Sequence, residues 1–179
     1  RAVEDELQVM LERLEQLGAD LQLALREDIE GRERVLDAMS LPRDTEGEKL
    51  ARMMAIEQAT KNAVAVPLRV AESAMQTLDV LGDLAGICPP NGVSDLALSA
   101  QLAITAIRGA SYNILPNLLS ISDKEFAEQC REQLNDLLHD GRGHGHGVEV
   151  LDVEHPVRRV VRRRDELGDV GLVRISMLD

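Results

Sequence analysis

The chain has 179 residues, a formal net charge of −12, and 44% hydrophobic residues. Tyr112 and Phe126 are its only aromatics, so a core must come from Leu, Val, Ile, Ala and Met, which favours packed helices over a β-sandwich. The acidic balance also argues against a polyanion as main partner, because nucleic-acid recognition leans on clustered cations and stacking rings.

The length fits one domain with a real core. Val3, Leu7, Met10, Leu14, Leu17 and Leu21 recur at helical spacing, with Glu and Arg on the other faces. The stripe continues through Ala24, Asp28, Gly31, Val35 and Ala38. Leu41-Pro42 ends it, since the residue before a proline avoids the α region. Charges from Arg1 and Glu4 onward are unlike a signal peptide. Thr45-Glu46-Gly47-Glu48 has the form of a capping box and predicts a second helix to about Leu81. Gln58, Asn62, Arg69, Glu72, Gln76 and Asp79 form its polar stripe, and Pro67 inside it predicts a kink.

Gly86 to Gly92, with Pro89 and Pro90, is a predicted loop. Ser94 is then expected to cap a helix reaching about Ser120. Only Asp95 and Arg108 carry charge along it, which predicts a central, largely buried position. Its apolar run from Leu96 to Leu119 is interrupted by Gln101, Arg108, Asn113, Pro116 and Asn117, and suits a core helix better than a membrane span. Ser122-Asp123-Lys124-Glu125 reads as another capping box. It opens a last helix with Phe126, Cys130, Leu134 and Leu137 on one face, ending near Gly141. Cys88 and Cys130 make no disulfide framework, and a reducing cytoplasm is expected.

Beyond this point the pattern changes. Gly141 to Gly147 alternates glycine with Arg142, His144 and His146, and reads as a linker. Residues 148–179 form a short extension. Alternation at Val148–Glu154 and Gly171–Ser176 suits strands there, and a small helix around Arg162–Leu167 is equally consistent. The fold expected is all-α, a bundle of long helices over 1–140, followed by the linker and that extension.

Several residues have the character of a site. Asp28 falls in the apolar stripe of the first helix. A buried carboxylate there needs a partner or polar cavity, whereas a bend near Gly31 would release it to solvent. In the third helix Asp95, Ser99, Ala106, Ala110, Asn113 and Asn117 lie nearly on one face. The asparagines, one turn apart, offer paired donors and acceptors to an amide-like ligand edge. Close helix packing, with the amides on backbone freed by Pro116, explains the pattern equally well. Glu57 and Lys61, at i,i+4, read first as a helix ion pair and second as groups at a site rim. His144 and His146, near His139 and His155, are metal-ligand types. The surrounding glycines withhold the rigid support of a preformed site, so no metal is expected. Arg158 to Arg164, diluted by Asp165, Glu166 and Asp169, reads as a solvated face. No phosphate-binding loop, dinucleotide fingerprint, zinc-protease motif or nucleophile elbow is present, so an enzyme here would rely on acid–base chemistry and positioning.

One ordered string covers most of the chain: Asp28, Leu41-Pro42, Lys61, Val66-Pro67-Leu68, Ala71-Glu72, Asn91-Gly92-Val93-Ser94-Asp95, Asn113, Asn117-Leu118 and Ile121-Ser122-Asp123-Lys124-Glu125-Phe126. From about residue 1 to 139 it resembles the cyclodeaminase domain of formiminotransferase-cyclodeaminase and, equally, the bacterial methenyltetrahydrofolate cyclohydrolases of that fold. The resemblance implies a helical domain that dimerises and binds a tetrahydrofolate derivative among its helices, with no cofactor beyond that substrate. It implies acid–base roles for Asp28 and Asp95. It implies substrate contacts from Asn91, Ser94, Asn113, Asn117 and Lys61. Family members usually begin with a further glycine-serine-rich segment, so a truncated or processed N-terminus is expected. The competing expectation is a catalytically inactive helical scaffold derived from this fold. Neither a nucleic acid nor a membrane is an expected partner.

Overall fold

The computed structural model describes residues 2–141, and the four expected helices lie within them. The linker and extension fall outside the described residues, as do His144, His146, His155 and the Arg158–Arg164 run. α1 spans Ala2–Ser40, α2 Glu46–Ala85, α3 Val93–Ser120 and α4 Lys124–Asp140, with a 3₁₀ turn at Pro90–Gly92 between α2 and α3. Among the described residues there is no strand, and the fold is an all-α bundle.

α1 packs on α2 through a row of buried residues at heptad spacing, Leu17, Ala24, Gly31 and Ala38. Small residues in that row let the two long helices approach closely. Polar pairs stitch the seam from outside, Arg13 to Gln76 and Arg69 to Glu27. The Arg52 guanidinium donates to the Met39 carbonyl from two nitrogens, at 3.1 and 2.9 Å. It thereby satisfies a carbonyl at the negative end of α1.

The capping box at α2 forms as expected. Glu48 N–H donates to Thr45 Oγ1 at 3.2 Å, and Thr45 N–H donates to Glu48 Oε2 at 2.8 Å. α2 then runs unbroken through the buried Pro67 to Ala85. The main core is the seam of α2, α3 and α4. Val64, Ile107, Ile114, Leu118, Ile121 and Leu134 are its largest fully buried side chains, and Ala71, Ala74, Ala100 and Ala103 are buried with them.

Three expectations change at the helix boundaries and surfaces. Ser94 is not the cap of α3. The 3₁₀ turn, closed by Gly92 N–H donating to the Pro89 carbonyl at 2.9 Å, runs straight into the helix and leaves Ser94 inside its first turn. The cap of α4 is Asp123 rather than Ser122, and its carboxylate accepts from Phe126 N–H at 3.1 Å. α3 is also not buried around its circumference. Leu98, Leu102, Tyr112, Leu115 and Leu119 are exposed in the single chain.

Candidate functional site

The polar residues singled out in the sequence fall into two groups at opposite ends of α3, and Asp28 lies on α1. Asn91 sits in the 3₁₀ turn, and Ser94 and Asp95 in the first turn of α3, all exposed. Ser99, one turn on, donates its hydroxyl to the Asp95 carbonyl at 2.8 Å. Cys88 packs so closely over Gly92 that a Cβ there would lie 3.0 Å from its sulfur, which fixes the entry to this turn with a residue that has no side chain.

Asn113 and Asn117 lie at the far end, about 27 and 33 Å from Asp95 by helix rise. Asn117 Nδ2 donates to the Asn113 backbone carbonyl at 2.9 Å, so this amide turns back onto its own helix. Lys61 of α2 is held at the same end. Its ammonium lies 2.7 Å from Asp123 Oδ2 and 5.2 Å from the centre of the Phe126 ring.

Glu57, one turn before Lys61, is the residue whose role the sequence did not reveal. Its carboxylate accepts Ser122 N–H on both oxygens, at 3.0 and 2.9 Å, and Asp123 N–H at 3.0 Å. Instead of the expected i,i+4 ion pair, Glu57 and Lys61 together grip the α3–α4 turn. Glu57 satisfies the backbone of the cap residue, the task a capping box gives to the residue three positions later in the same helix. That explains why the cap shifts from Ser122 to Asp123. The Ser122 and Asp123 N–H groups hold the Glu57 carboxyl below its ordinary value. Asp123 is likewise lowered, first by the Lys61 hydrogen bond and then by Phe126 N–H. Both carboxylates are therefore ionised and occupied. The contacts from α2, Lys61 to Asp123 and Glu57 to Ser122, join residues more than sixty positions apart along the chain, a separation that no local pattern encodes.

Asp28 is exposed on α1, although its stripe neighbours Ala24 and Gly31 are buried. α1 stays helical through Gly31. Half-buried Leu14, Leu21 and Val35 continue the stripe, and at this turn Glu27, which meets Arg69, takes the inward position in place of Asp28. At the end of α2, Asp79 has its carboxyl raised, first by partial burial and then by Asp83 and Asp140. Among the described residues, no group of three or more His, Cys, Asp or Glu side chains is placed to hold a metal ion. None of the described helices is long and apolar enough to cross a membrane.

Comparison with known proteins supplies the context for these residues. A family model described as formiminotransferase-cyclodeaminase matches residues 1–136. A methenyltetrahydrofolate cyclohydrolase of Methylorubrum extorquens is 32% identical over 136 residues, 76% of this chain and 65% of that protein. A formimidoyltransferase-cyclodeaminase of Sus scrofa is 37% identical over 116 residues, 62% of this chain and 20% of that protein. The chain thus spans just under two thirds of the bacterial relative and a fifth of the mammalian one. A crystal structure of formiminotetrahydrofolate cyclodeaminase from Thermotoga maritima superposes with a TM-score of 0.71. It covers 93% of this chain and 73% of that one at 24% identity, a likeness of fold. With its family match extending from the start of α1 nearly to the end of α4, the chain belongs to the formiminotransferase-cyclodeaminase family.

Proposed function

We propose that the chain acts in one-carbon tetrahydrofolate metabolism, as a formimidoyltetrahydrofolate cyclodeaminase or a methenyltetrahydrofolate cyclohydrolase, in the cytoplasm and as a homodimer. The observation that carries this reading is the family match over residues 1–136. The names of the relatives, all folate enzymes, favour catalysis over an inactive scaffold.

In the deaminase reaction N10 attacks the formimino carbon, ammonia leaves, and the methenyl bridge closes. In the hydrolase reaction water attacks the methenyl carbon and the ring opens to the 10-formyl compound. Each passes through a tetrahedral carbon held between N5 and N10, with an amine as its third substituent in the deaminase and a hydroxyl in the hydrolase, so each needs a proton carrier and a balance for a changing cation. Asp95 suits both tasks, being exposed and near the positive end of α3. Asp28 is the second carboxylate of the proposed mechanism, from α1. Asn91, Ser94, Asn113 and Asn117 supply amide and hydroxyl groups to orient the pterin edge. Lys61, already engaged by Asp123, contributes positive charge at the Asn117 end.

The test follows the methenyltetrahydrofolate absorbance with purified protein. Loss of that band above the spontaneous rate identifies the hydrolase, and its appearance from 5-formiminotetrahydrofolate identifies the deaminase. Neither change, together with no thermal shift from either folate, overturns the proposal.

A further inference from the structure

The polar stripe of α2 forms the floor of an open groove. Arg69 and Gln76 of that stripe meet Glu27 and Arg13 of α1, while Lys61 and Glu72 meet Asp123 and Gln133 at α4. α1 therefore runs antiparallel to α2 along one side of the stripe, and α4 runs parallel to it along the other. Between them Arg69, Gln76, Asp79 and Asp83 are exposed, so no described element covers this face. Its charge is lopsided. Asp79 and Asp83 of α2 are joined by Asp136 and Asp140 of α4, and by Asp20, which lies midway between Arg13 and Glu27 on α1. Arg69 is engaged by Glu27, and among the described residues no Lys or Arg pairs with Asp79, Asp83 or Asp136. Partial burial, and then the charges of Asp83 and Asp140, raise the Asp79 carboxyl. Like charges thus meet where α2 and α4 approach their ends.

We infer that the Arg158–Arg164 run of the same chain docks in this groove, with its guanidinium groups among the carboxylates of α2 and α4. Two observations select that occupant. The first is where the described chain ends. The register set by Lys61 with Asp123 and by Glu72 with Gln133 brings Asp140 beside Asp79, so the chain leaves α4 at Gly141 next to the carboxylates. Arg158 follows seventeen residues after Gly141, a stretch that can span up to about 56 Å, whereas Glu72 and Asp83 are only ~17 Å apart along α2. The second is charge complementarity. Five of the seven residues in the run are arginine, and Asp165, Glu166 and Asp169 follow the run without interrupting it. A planar guanidinium can bridge two carboxylates and loses little hydration in doing so, which suits Arg better than Lys to a row of acids. Single exposed ion pairs are weak, but several act together here, and the tether holds the run near the groove at an effective concentration on the order of millimolar. A nucleic acid would have to bring its phosphates up to a chain of net charge −12, against the field that draws the arginines in.

The test uses the full chain on a Cys88→Ser background, with the buried Cys130 kept. Val160→Cys is combined either with Gln133→Cys, on the flank of α4 that faces Glu72, or with Asn135→Cys, on the opposite flank and slightly nearer Gly141. Each protein is oxidised at low concentration, and disulfides are read by non-reducing electrophoresis and peptide mass. Docking predicts a disulfide within the chain that forms on the order of tenfold faster at position 133 than at position 135. Asp79→Asn/Asp83→Asn relieves a repulsion and leaves the core untouched, so the bundle still folds. That pair of substitutions should bring the two rates together, as should salt at about 0.5 M. Equal rates without either change overturn the docking. A preference for position 133 that survives both salt and the Asn substitutions overturns the charge complementarity, and the inference with it. A disulfide that joins two chains makes the extension of a second copy the occupant and overturns docking within one chain.

Discussion

Replacing Glu57 by Gln tests the grip on the α3–α4 turn. The native carboxylate takes two backbone N–H groups through three contacts of 2.9–3.0 Å, from residues that face water. Glutamine keeps the shape and one acceptor oxygen but loses the charge and the second acceptor. Hydrogen bonds to charged groups contribute about 1.5–3 kcal/mol when well shielded, and the released N–H groups here can turn to water, so the net loss is about 1.5 kcal/mol. For a helical body of this size that is a fall of about 5 °C in Tm. Urea unfolding followed by circular dichroism measures it. The pH dependence is the sharper check. The fold lowers the Glu57 carboxyl from 4.5, so it favours the ionised form. The stability it contributes is complete above that value and fades as pH falls through the lowered native one. The gap between parent and variant should therefore be widest near neutrality and close in acid. Equal stability of the two at neutral pH, or a gap that persists undiminished in strong acid, would refute the reasoning.

Two further outcomes follow from the packing. Leu134 is fully buried in the α2–α3–α4 core, and Leu134→Ala should lower unfolding free energy by about 3 kcal/mol, read from the urea midpoint at unchanged slope. Lys61→Met keeps the apolar stem but removes the contacts to Asp123 and the Phe126 ring. Its effect on the urea midpoint should be smaller than that of Glu57→Gln, and the difference from the parent should shrink as salt is added.

The helices were legible because their signals are local. The Thr45–Glu48 box, the stop at Leu41-Pro42 and the end at Gly141 each depend on residues a few positions apart, and each lies where the pattern placed it. Errors arose where distant residues intervene. Glu57 supplies from another helix what Glu125 would have supplied locally, and so moves a cap by one position. The stripe of mixed three- and four-residue spacing holds along α1, with Leu14, Leu21 and Val35 half-buried, but between Ala24 and Gly31 it is Glu27 rather than Asp28 that turns toward α2 and meets Arg69. Low charge on α3 predicts burial, yet one side of that helix faces outward in the single chain. The candidate site was legible as a set of residue types on one flank of α3. Its division between two ends follows from helix rise alone, whereas the partners gathered at the second end, Glu57 and Lys61 of α2, became visible only in three dimensions.

The placement of α1 has a consequence for how the chain assembles. Packing runs from each helix to its neighbour in sequence, α1 on α2, α2 on α3 and α3 on α4, with α4 also reaching α2. Such a serial arrangement needs few long loop closures, which favours rapid folding. Among the described helices α1 is secured mainly along the side that meets α2, so its backbone amides should exchange with solvent earlier than those of the central helices.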